Sequence, residues 1–448
     1  MKKIRILLVF MIMLTTSMVW ACPFFNGINK VIKKMDLKLS SIVSISVREK
    51  ETGKILYQKD DKKLLNPAST LKMLSFAPIL NTLGENYKFE TAIYKSGKNL
   101  YIKLGADPLL TDYNLRELVS LAKNKVDFNS IEKIYIDDTI IDKVNYPKGW
   151  GSDDIYPNYP IVSPYTLNKN QVKISVLLRD NFDVPYIMQT EPNNLSIINE
   201  LIKGAGDIKI QVADDYDSAN IIVLKGAIDS DIELNIPVSN PKYNFIANLN
   251  DVFKKEKVIY KNPFYFKKTP KGATLVATVY HTLEEVSRDI LWNSDNFSAE
   301  VAFKVAGGKY ANEVGTTKNA RFMLKDYYEA LGLDMSGVQI FDGSGVSRMN
   351  LVTSSFMTEA LRLADIKNSI KKYAPKPTEG TLKNRMRHLS DNLNAKTGTL
   401  NAVSSICGFI KTKSDKDLVF NIIIMNFKQK PAIIKGFEDD IIDKIWKF

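Results

Sequence analysis

Histidine and cysteine are scarce: His281, His388, Cys22 and Cys407 are the whole supply in 448 residues. Four such residues, scattered along the chain, are too few for a Cys/His zinc cluster, so no metal site is expected. Two cysteines give no disulfide framework, and the fold must be held by packing. Cys407 stands in an apolar run of strand character and reads as core, not as a reactive thiol. An enzyme of acyl groups with this composition would have to activate a serine with lysine in place of imidazole.

Long apolar runs are also missing, with one exception. Ile6–Leu14 follows Lys2, Lys3 and Arg5 and is too short to span a bilayer comfortably. With Val19-Trp20-Ala21 as a cleavage site, residues 1–21 read as a secretory signal peptide. The mature protein is then expected to be exported, to the periplasm or the cell envelope. Cys22, directly after the cut, raises lipid attachment, although Trp20 stands where a lipoprotein signal calls for a small residue. Soluble export and a lipoprotein anchor at Cys22 are both open. Arg-rich blocks and aromatic-interleaved basic stripes are lacking, so nucleic acid is not an expected partner despite the net charge of +12. Scattered lysine on an exported protein reads either as peripheral attraction to anionic envelope polymers or as a solvated face.

What is present fits a globular chain: 45% of residues are hydrophobic and 25% charged, at a length that calls for two or three domains. Helical spacing over Asn26–Leu39 is followed by a hairpin, Ser41–Arg48 returning at Ile55–Tyr57. An apolar helix is expected over Leu71–Leu83, kinked or split at Pro78. From 95 to 280 the pattern changes to short alternating runs. Strands are expected at Leu100–Leu104, Ile131–Asp137 and Val172–Leu178, with helices at Leu115–Ala122 and Asn194–Ile202. Helical spacing returns at Thr282–Val305, Asn319–Leu331 and Ser355–Ile370. A second hairpin, Ala402–Thr412 with Leu418–Met425, precedes an amphipathic helix at Phe437–Lys447. Terminal hairpins and helices together predict an α+β fold, an antiparallel sheet flanked by helices. Residues 22–94 and 281–448 would form that catalytic domain, interrupted by a large β-rich inserted region, 95–280, of one or two small domains.

Three short motifs stand in a fixed order: Ser69-Thr-Leu-Lys72, Ser294-Asp-Asn296 and Lys396-Thr-Gly398. Serine and lysine three apart share one face of a helical turn, so the amine can reach the hydroxyl. Burial and a neighbouring cation, Lys396, would favour a neutral Lys72 able to accept the serine proton. Ser69 at a helix start, with Pro67 just upstream, would supply a backbone N–H for an oxyanion. Lys396-Thr397-Gly398-Thr399 precedes a strand, where Gly398 lets a substrate backbone approach as an added strand and Thr399 N–H would be a second oxyanion donor. Each motif alone has a plainer reading as a helix cap, a turn or a solvated charge. Ser-x-x-Lys also begins at Ser130, Ser239 and Ser369, and Ser-Asp-Asn recurs at Ser390–Asn392. Order and context decide: Ser390 is too close to Lys396 to bring a hydroxyl from a separate lobe, whereas Ser294, at the end of an amphipathic helix, can.

This pattern resembles the penicillin-recognising serine enzymes. Within them it is similar to the D-alanyl-D-alanine carboxypeptidase/endopeptidase group typified by penicillin-binding protein 4. More than two hundred residues separate Lys72 from Ser294, far more than in class A β-lactamases. Gly105-Ala-Asp107-Pro108 resembles the group's Gly-Gly-Asp-Pro stretch, with Ala106 as a departure. Asp342-Gly-Ser-Gly-Val-Ser347-Arg348 resembles its Asp-Gly-Ser-Gly-Leu-Ser-Arg loop. The resemblance implies a β-lactamase/transpeptidase-like fold and a serine-type D-Ala-D-Ala carboxypeptidase needing no cofactor. Its substrates would be peptidoglycan stem peptides, and β-lactam antibiotics would be its inhibitors.

Carried over residue by residue, the resemblance makes Ser69 the acylated nucleophile and Lys72 its general base. Ser294 and Asn296 would shuttle a proton to the leaving D-alanine and hold the substrate amide. Lys396, Thr397 and Thr399 would orient the terminal carboxylate. Asp154 (in Trp150-Gly-Ser-Asp-Asp154), Tyr159 and Arg348 match residues that read the third residue of the stem peptide; Asp107 reads as a turn former. Removal of a terminal D-alanine would be carboxypeptidase action, and cutting a cross-link to diaminopimelate endopeptidase action. Two other functions use the same residues. A β-lactamase or esterase would need an extra base for fast deacylation, and no Glu stands in a motif context to supply one. A catalytically silent cell-wall-binding protein would carry a broken motif, and none is broken.

Overall fold

The computed structural model describes residues 23–35, 41–151, 159–190, 192, 195–212 and 220–448. Helix α1 (Pro23–Lys34) leads into the hairpin β1 (Ile42–Glu49) and β2 (Ile55–Lys59). A single 3₁₀ turn, Ala68–Thr70, then runs into α2 (Leu71–Leu83). This helix passes through Pro78 without the expected break. Proline has no N–H to give the carbonyl four residues back, and that carbonyl, Leu74 O, instead accepts from the buried Tyr328 hydroxyl at 2.9 Å.

The next stretch is β3 (Lys88–Ser96), β4 (Asn99–Lys103), α3 (Asp112–Lys123), β5 (Lys133–Asp137), β6 (Gln171–Leu177), β7 (Tyr186–Gln189) and β8 (Leu195–Lys203). It continues with β9 (Ile208–Val212), β10 (Asn220–Ile228), β11 (Ile232–Pro237), α4 (Pro241–Lys255), β12 (Tyr265–Phe266) and β13 (Thr274–Thr282). A five-stranded sheet in the order β12-β5-β4-β3-β13 and two three-stranded sheets, β8-β10-β9 and β11-β6-β7, result. The first and last of these strands are paired, Lys88 against Thr282, so the chain leaves and returns at one place. The segment expected to be a helix at Asn194–Ile202 is instead strand β8. Its residues alternate, with Leu195 and Leu201 buried and Ser196, Ile198, Glu200 and Ile202 exposed. Period two and β-branched Ile outweighed the helical spacing.

Helices α5 (Leu283–Leu291), α6 (Asn296–Ala311), α7 (Thr317–Glu329) and α8 (Ser354–Asn368) follow, then β14 (Leu393–Leu400), β15 (Val403–Lys411), β16 (Asp417–Met425) and α9 (Pro431–Trp446). The last three strands join the first hairpin in one antiparallel sheet, ordered β14-β15-β16-β1-β2. Period-two alternation gives this sheet two apolar faces. On β16, Val419 and Ile423 face the core built on α2 and α5–α8, whereas Phe420, Ile422 and Ile424 face the core under α1 and α9. Cys407 is fully buried in the first of these cores, and burial pushes its thiol up to about 12, which makes it inert. Among the described residues no helix is long and apolar enough to cross a membrane.

Candidate active site

Ser69, in the 3₁₀ turn, and Lys72, in the first turn of α2, stand where the sheet and the loop at 342–348 both touch the chain. Ala68, just before the serine, has φ +48°, a left-handed conformation that costs a β-carbon residue energy. It is fixed from several sides. Its N–H donates to Asn66 Oδ1 at 2.8 Å, while Asn66 Nδ2 donates to Ser347 O at 3.0 Å. Gly345 has φ +88°, and a β-carbon there would strike Ala68 O. On the opposite side the edge strand β14 passes so close that a β-carbon on Gly398 would stand 2.8 Å from Ser69 N. The two glycines let a loop and a strand clamp the serine between them.

Lys72 is fully buried and its Nζ has three acceptors: Ser69 Oγ at 3.0 Å, Asn296 Oδ1 at 2.6 Å and Ser344 O at 2.7 Å. Burial pulls the amine down to about 8, against the upward pull of the Asp342, Asp295 and Glu300 carboxylates. A neutral lysine keeps two N–H donors, which the two carbonyl oxygens take, so its lone pair is left for the Ser69 hydroxyl. Of the two causes expected to favour the neutral amine, burial is the leading one at Lys72. Lys396 lies well below its ordinary value, through burial first and the charge of Lys72 second.

Ser294 does not end a helix as expected. The helical spacing over Thr282–Val305 resolves into two helices, α5 and α6, and Ser294 lies in the turn between them with φ +61°. Asp295 caps α6 by accepting from Ser298 N at 2.7 Å, which sets Asn296 as the first helical residue, pointed at Lys72. Lys396 is fully buried and donates to Ser294 Oγ at 2.7 Å and to Thr397 O at 2.8 Å. The turn is braced by Lys169, whose ammonium pairs with Asp289 at 2.6 Å and Asp295 at 2.9 Å. Burial would raise the Asp289 carboxyl, but the charge of Lys169 together with hydrogen bonds from Lys169, Ser298 and Asn293 holds it below its ordinary value.

Asp342 organises the loop behind the lysine. Its oxygens accept from Gly345 N (2.9 Å), Ser347 N (2.6 Å), Asn350 Nδ2 (2.7 Å) and Trp150 Nε1 (2.9 Å). Glu300, one turn after Asn296 on α6, accepts from Gly343 N at 2.8 Å and Ser344 N at 2.7 Å. Burial, with Asp342 adding to it, pushes this carboxyl up to about 8.

A cavity of about 380 Å³ opens in front of the serine. Ser69, Ser294, Asn296, Thr397, Thr399 and Tyr159 line it, and Gly398 lies between the two threonines. The structure therefore brings Ser69, Lys72, Ser294, Asn296, Lys396 and Thr397–Thr399 together from three separate segments. Tyr159 stands edge-on to Trp150 with ring centroids 5.2 Å apart. Arg348 is exposed and donates to Asn401 O at 3.3 Å. Asp154 lies outside the described residues, as do Cys22 and residues 1–21. Asp107 shapes a turn, accepting from Leu109 N at 3.0 Å while its other oxygen meets His281 Nδ1 at 2.7 Å. Among the described residues no group of three or more His, Cys, Asp or Glu is set to hold a metal ion.

Sequence reading missed Glu300, Lys169, Thr381, Arg385 and Lys435. The last three line the cavity beside Thr397, whose hydroxyl donates to Thr381 Oγ1 at 2.8 Å. Only Glu300 had a local signal, its i+4 spacing from Asn296.

Residues 26–439 match the D-Ala-D-Ala carboxypeptidase 3 (S13) family. A D-alanyl-D-alanine carboxypeptidase of Actinomadura sp. is 24% identical over 86% of this chain and 77% of its own. The crystal structure of penicillin binding protein 4 from Haemophilus influenzae superposes with a TM-score of 0.82 at 20% identity, covering 94% of this chain and 99% of that one. The same Haemophilus protein complexed with a β-lactam gives 0.77 at 19% identity, covering 94% and 100%. The fold is thus that of a penicillin-binding, transpeptidase-like protein, and this chain belongs to the D-Ala-D-Ala carboxypeptidase 3 (S13) family of serine-type hydrolases.

Proposed function

We propose that Ser69 is the nucleophile of a D-Ala-D-Ala carboxypeptidase and DD-endopeptidase acting on peptidoglycan stem peptides. One observation carries the reading: Lys72 Nζ sits 3.0 Å from Ser69 Oγ with its other two hydrogen-bond directions taken by Asn296 and Ser344. In the first step Ser69 Oγ bonds to the carbonyl carbon of D-Ala–D-X as its proton passes to Lys72. Ser69 N–H and Thr399 N–H receive the oxyanion. The C–N bond then breaks, the leaving amine takes a proton from Ser294, and the proton that Lys72 gained from Ser69 returns to Ser294, so that Lys72 is neutral again. Water cleaves the ester in the second step and restores Ser69. No cofactor enters either step.

Asn296 holds both Lys72 and the substrate amide, while Thr397 and Thr399 face the terminal carboxylate. Gly398 leaves room for the peptide to lie along β14 as an added strand. Asp154, Tyr159 and Arg348 read the third residue of the stem peptide, an anion and a cation suited to the zwitterionic end of diaminopimelate. The strand pairing of Lys88 with Thr282 supports a catalytic unit of residues 22–94 and 281–448 with 95–280 inserted. Residues 1–21 act as a signal peptide that delivers the enzyme to the periplasm or envelope, with Cys22 open to lipidation.

The test is digestion of cross-linked and uncross-linked muropeptides, with products resolved by mass. Loss of D-alanine and of cross-links with wild type, and neither with Ser69→Ala, is expected. Stable penicillin labelling at Ser69 should accompany it; sustained hydrolysis of the antibiotic without peptide cleavage would contradict the proposal.

A further inference from the structure

The substrate class proposed above carries a carboxylate on the residue that departs, and an anion entering a cavity calls for a cation to meet it. Three basic residues around Thr397 are candidates, and their surroundings separate them. Lys396 is fully buried and directs its amine inward, to Ser294 Oγ and Thr397 O at 2.7 and 2.8 Å. Its position and its preference for the neutral form suit proton transfer better than charge pairing. Arg385 lines the cavity, but its guanidinium is already answered by Glu438 at 2.9 Å and Asp439 at 2.6 Å.

Lys435 is different. It lines the same cavity from helix α9, half-buried, and its ammonium makes no ion pair or hydrogen bond to any of the described residues. Its backbone is nonetheless fixed, because Lys435 O accepts from Arg385 Nη2 at 3.1 Å. The charge is thus held on a rigid helix and left unanswered, as a binding group should be. Beside it, Thr397 donates to Thr381 Oγ1 at 2.8 Å, which leaves the Thr381 hydroxyl proton free to donate into the cavity.

We propose that Lys435, with Thr381, forms an anion subsite that receives the carboxylate of the leaving residue and so selects substrates ending in a free acid. The subsite rests on the Ser69 acyl-enzyme reading and adds to it a specificity residue from the far end of the chain. It distinguishes a D-amino acid or a D-centred diamino acid with a free carboxylate from the same residue as an amide.

The test compares kcat/KM for a peptide ending in D-Ala-D-Ala with that for its C-terminal amide. Wild type should prefer the acid. In Lys435→Met the acid-to-amide ratio should fall about tenfold, through KM and not kcat, and Lys435→Arg should keep it. Labelling at saturating fluorescent penicillin shows that each variant is folded. A ratio unchanged in Lys435→Met, with wild type and variant both labelled, would overturn the subsite alone. Wild type that takes no label would overturn the acyl-enzyme reading and the subsite with it.

Discussion

The carbonyl of Ser344 accepts from Lys72 at 2.7 Å while the N–H of the same residue donates to Glu300 at 2.7 Å. One residue, Ser344, therefore connects the Lys72 amine to a carboxyl that does not line the cavity. Glu300 acts through that residue, as the acceptor of its N–H and of the Gly343 N–H. Glu300→Gln keeps the acceptor oxygen and should change the rate of penicillin acylation by no more than about threefold at pH 7. Glu300→Ala orphans two buried N–H groups and opens a cavity, which should cost about 2–5 kcal/mol of stability. Thermal unfolding and acylation of the two variants, measured side by side, check the contrast.

Asn296 meets the Lys72 amine with a neutral amide oxygen. A carboxylate in place of its amide oxygen, 2.6 Å from Lys72 Nζ, would hold the lysine protonated. Asn296→Asp should raise the lysine by about 1–3 pKa units and slow acylation at pH 7 by roughly ten- to a thousandfold. The loss should shrink as pH rises. A loss equal at every pH would contradict this assignment.

Trp150 connects the aromatic wall of the cavity to the loop behind it, through Tyr159 on one side and Asp342 on the other. Trp150→Phe keeps the ring contact but removes a hydrogen bond to a carboxylate, a loss of about 1.5–3 kcal/mol. KM for stem peptides with a full third residue should rise. Acylation by penicillin, which has no such residue, should stay within about twofold.

Tyr328 and Pro78 form the clearest stability pair. Tyr328→Phe leaves Leu74 O buried without its donor and should lower stability by about 1–3 kcal/mol, read by denaturant unfolding. Acylation at saturating antibiotic should be unaffected, because the hydroxyl touches nothing in the cavity.

These pairs also show what the sequence could reveal. Ser69 with Lys72 and Lys396 with Gly398 are local, and their order along the chain exposes them; the Asp342–Arg348 loop, also local, is legible through its resemblance to the family's loop. The terminal hairpins and most helices are legible for the same reason, since their periodicity lies within one segment. Lys169 meets Asp295 across more than a hundred residues, and Lys435 reaches the cavity from a helix behind the sheet; neither leaves a local trace. Pro78 misled because the partner that rescues its helix, Tyr328, is equally remote. Asn194–Ile202 misled because its apolar residues satisfy two periods at once, and packing chose the strand.

The central claim is that burial leaves Lys72 neutral enough to take the Ser69 proton. Its amine is lowered to about 8, so the active, neutral form grows about tenfold per pH unit below that value and saturates above it. The direct measurement is the second-order rate constant for penicillin acylation of Ser69 across pH 6 to 10. A rise that levels off with a midpoint near 8 is expected. A flat profile, or a rise that continues past pH 10 as for an ordinary exposed lysine, would contradict it.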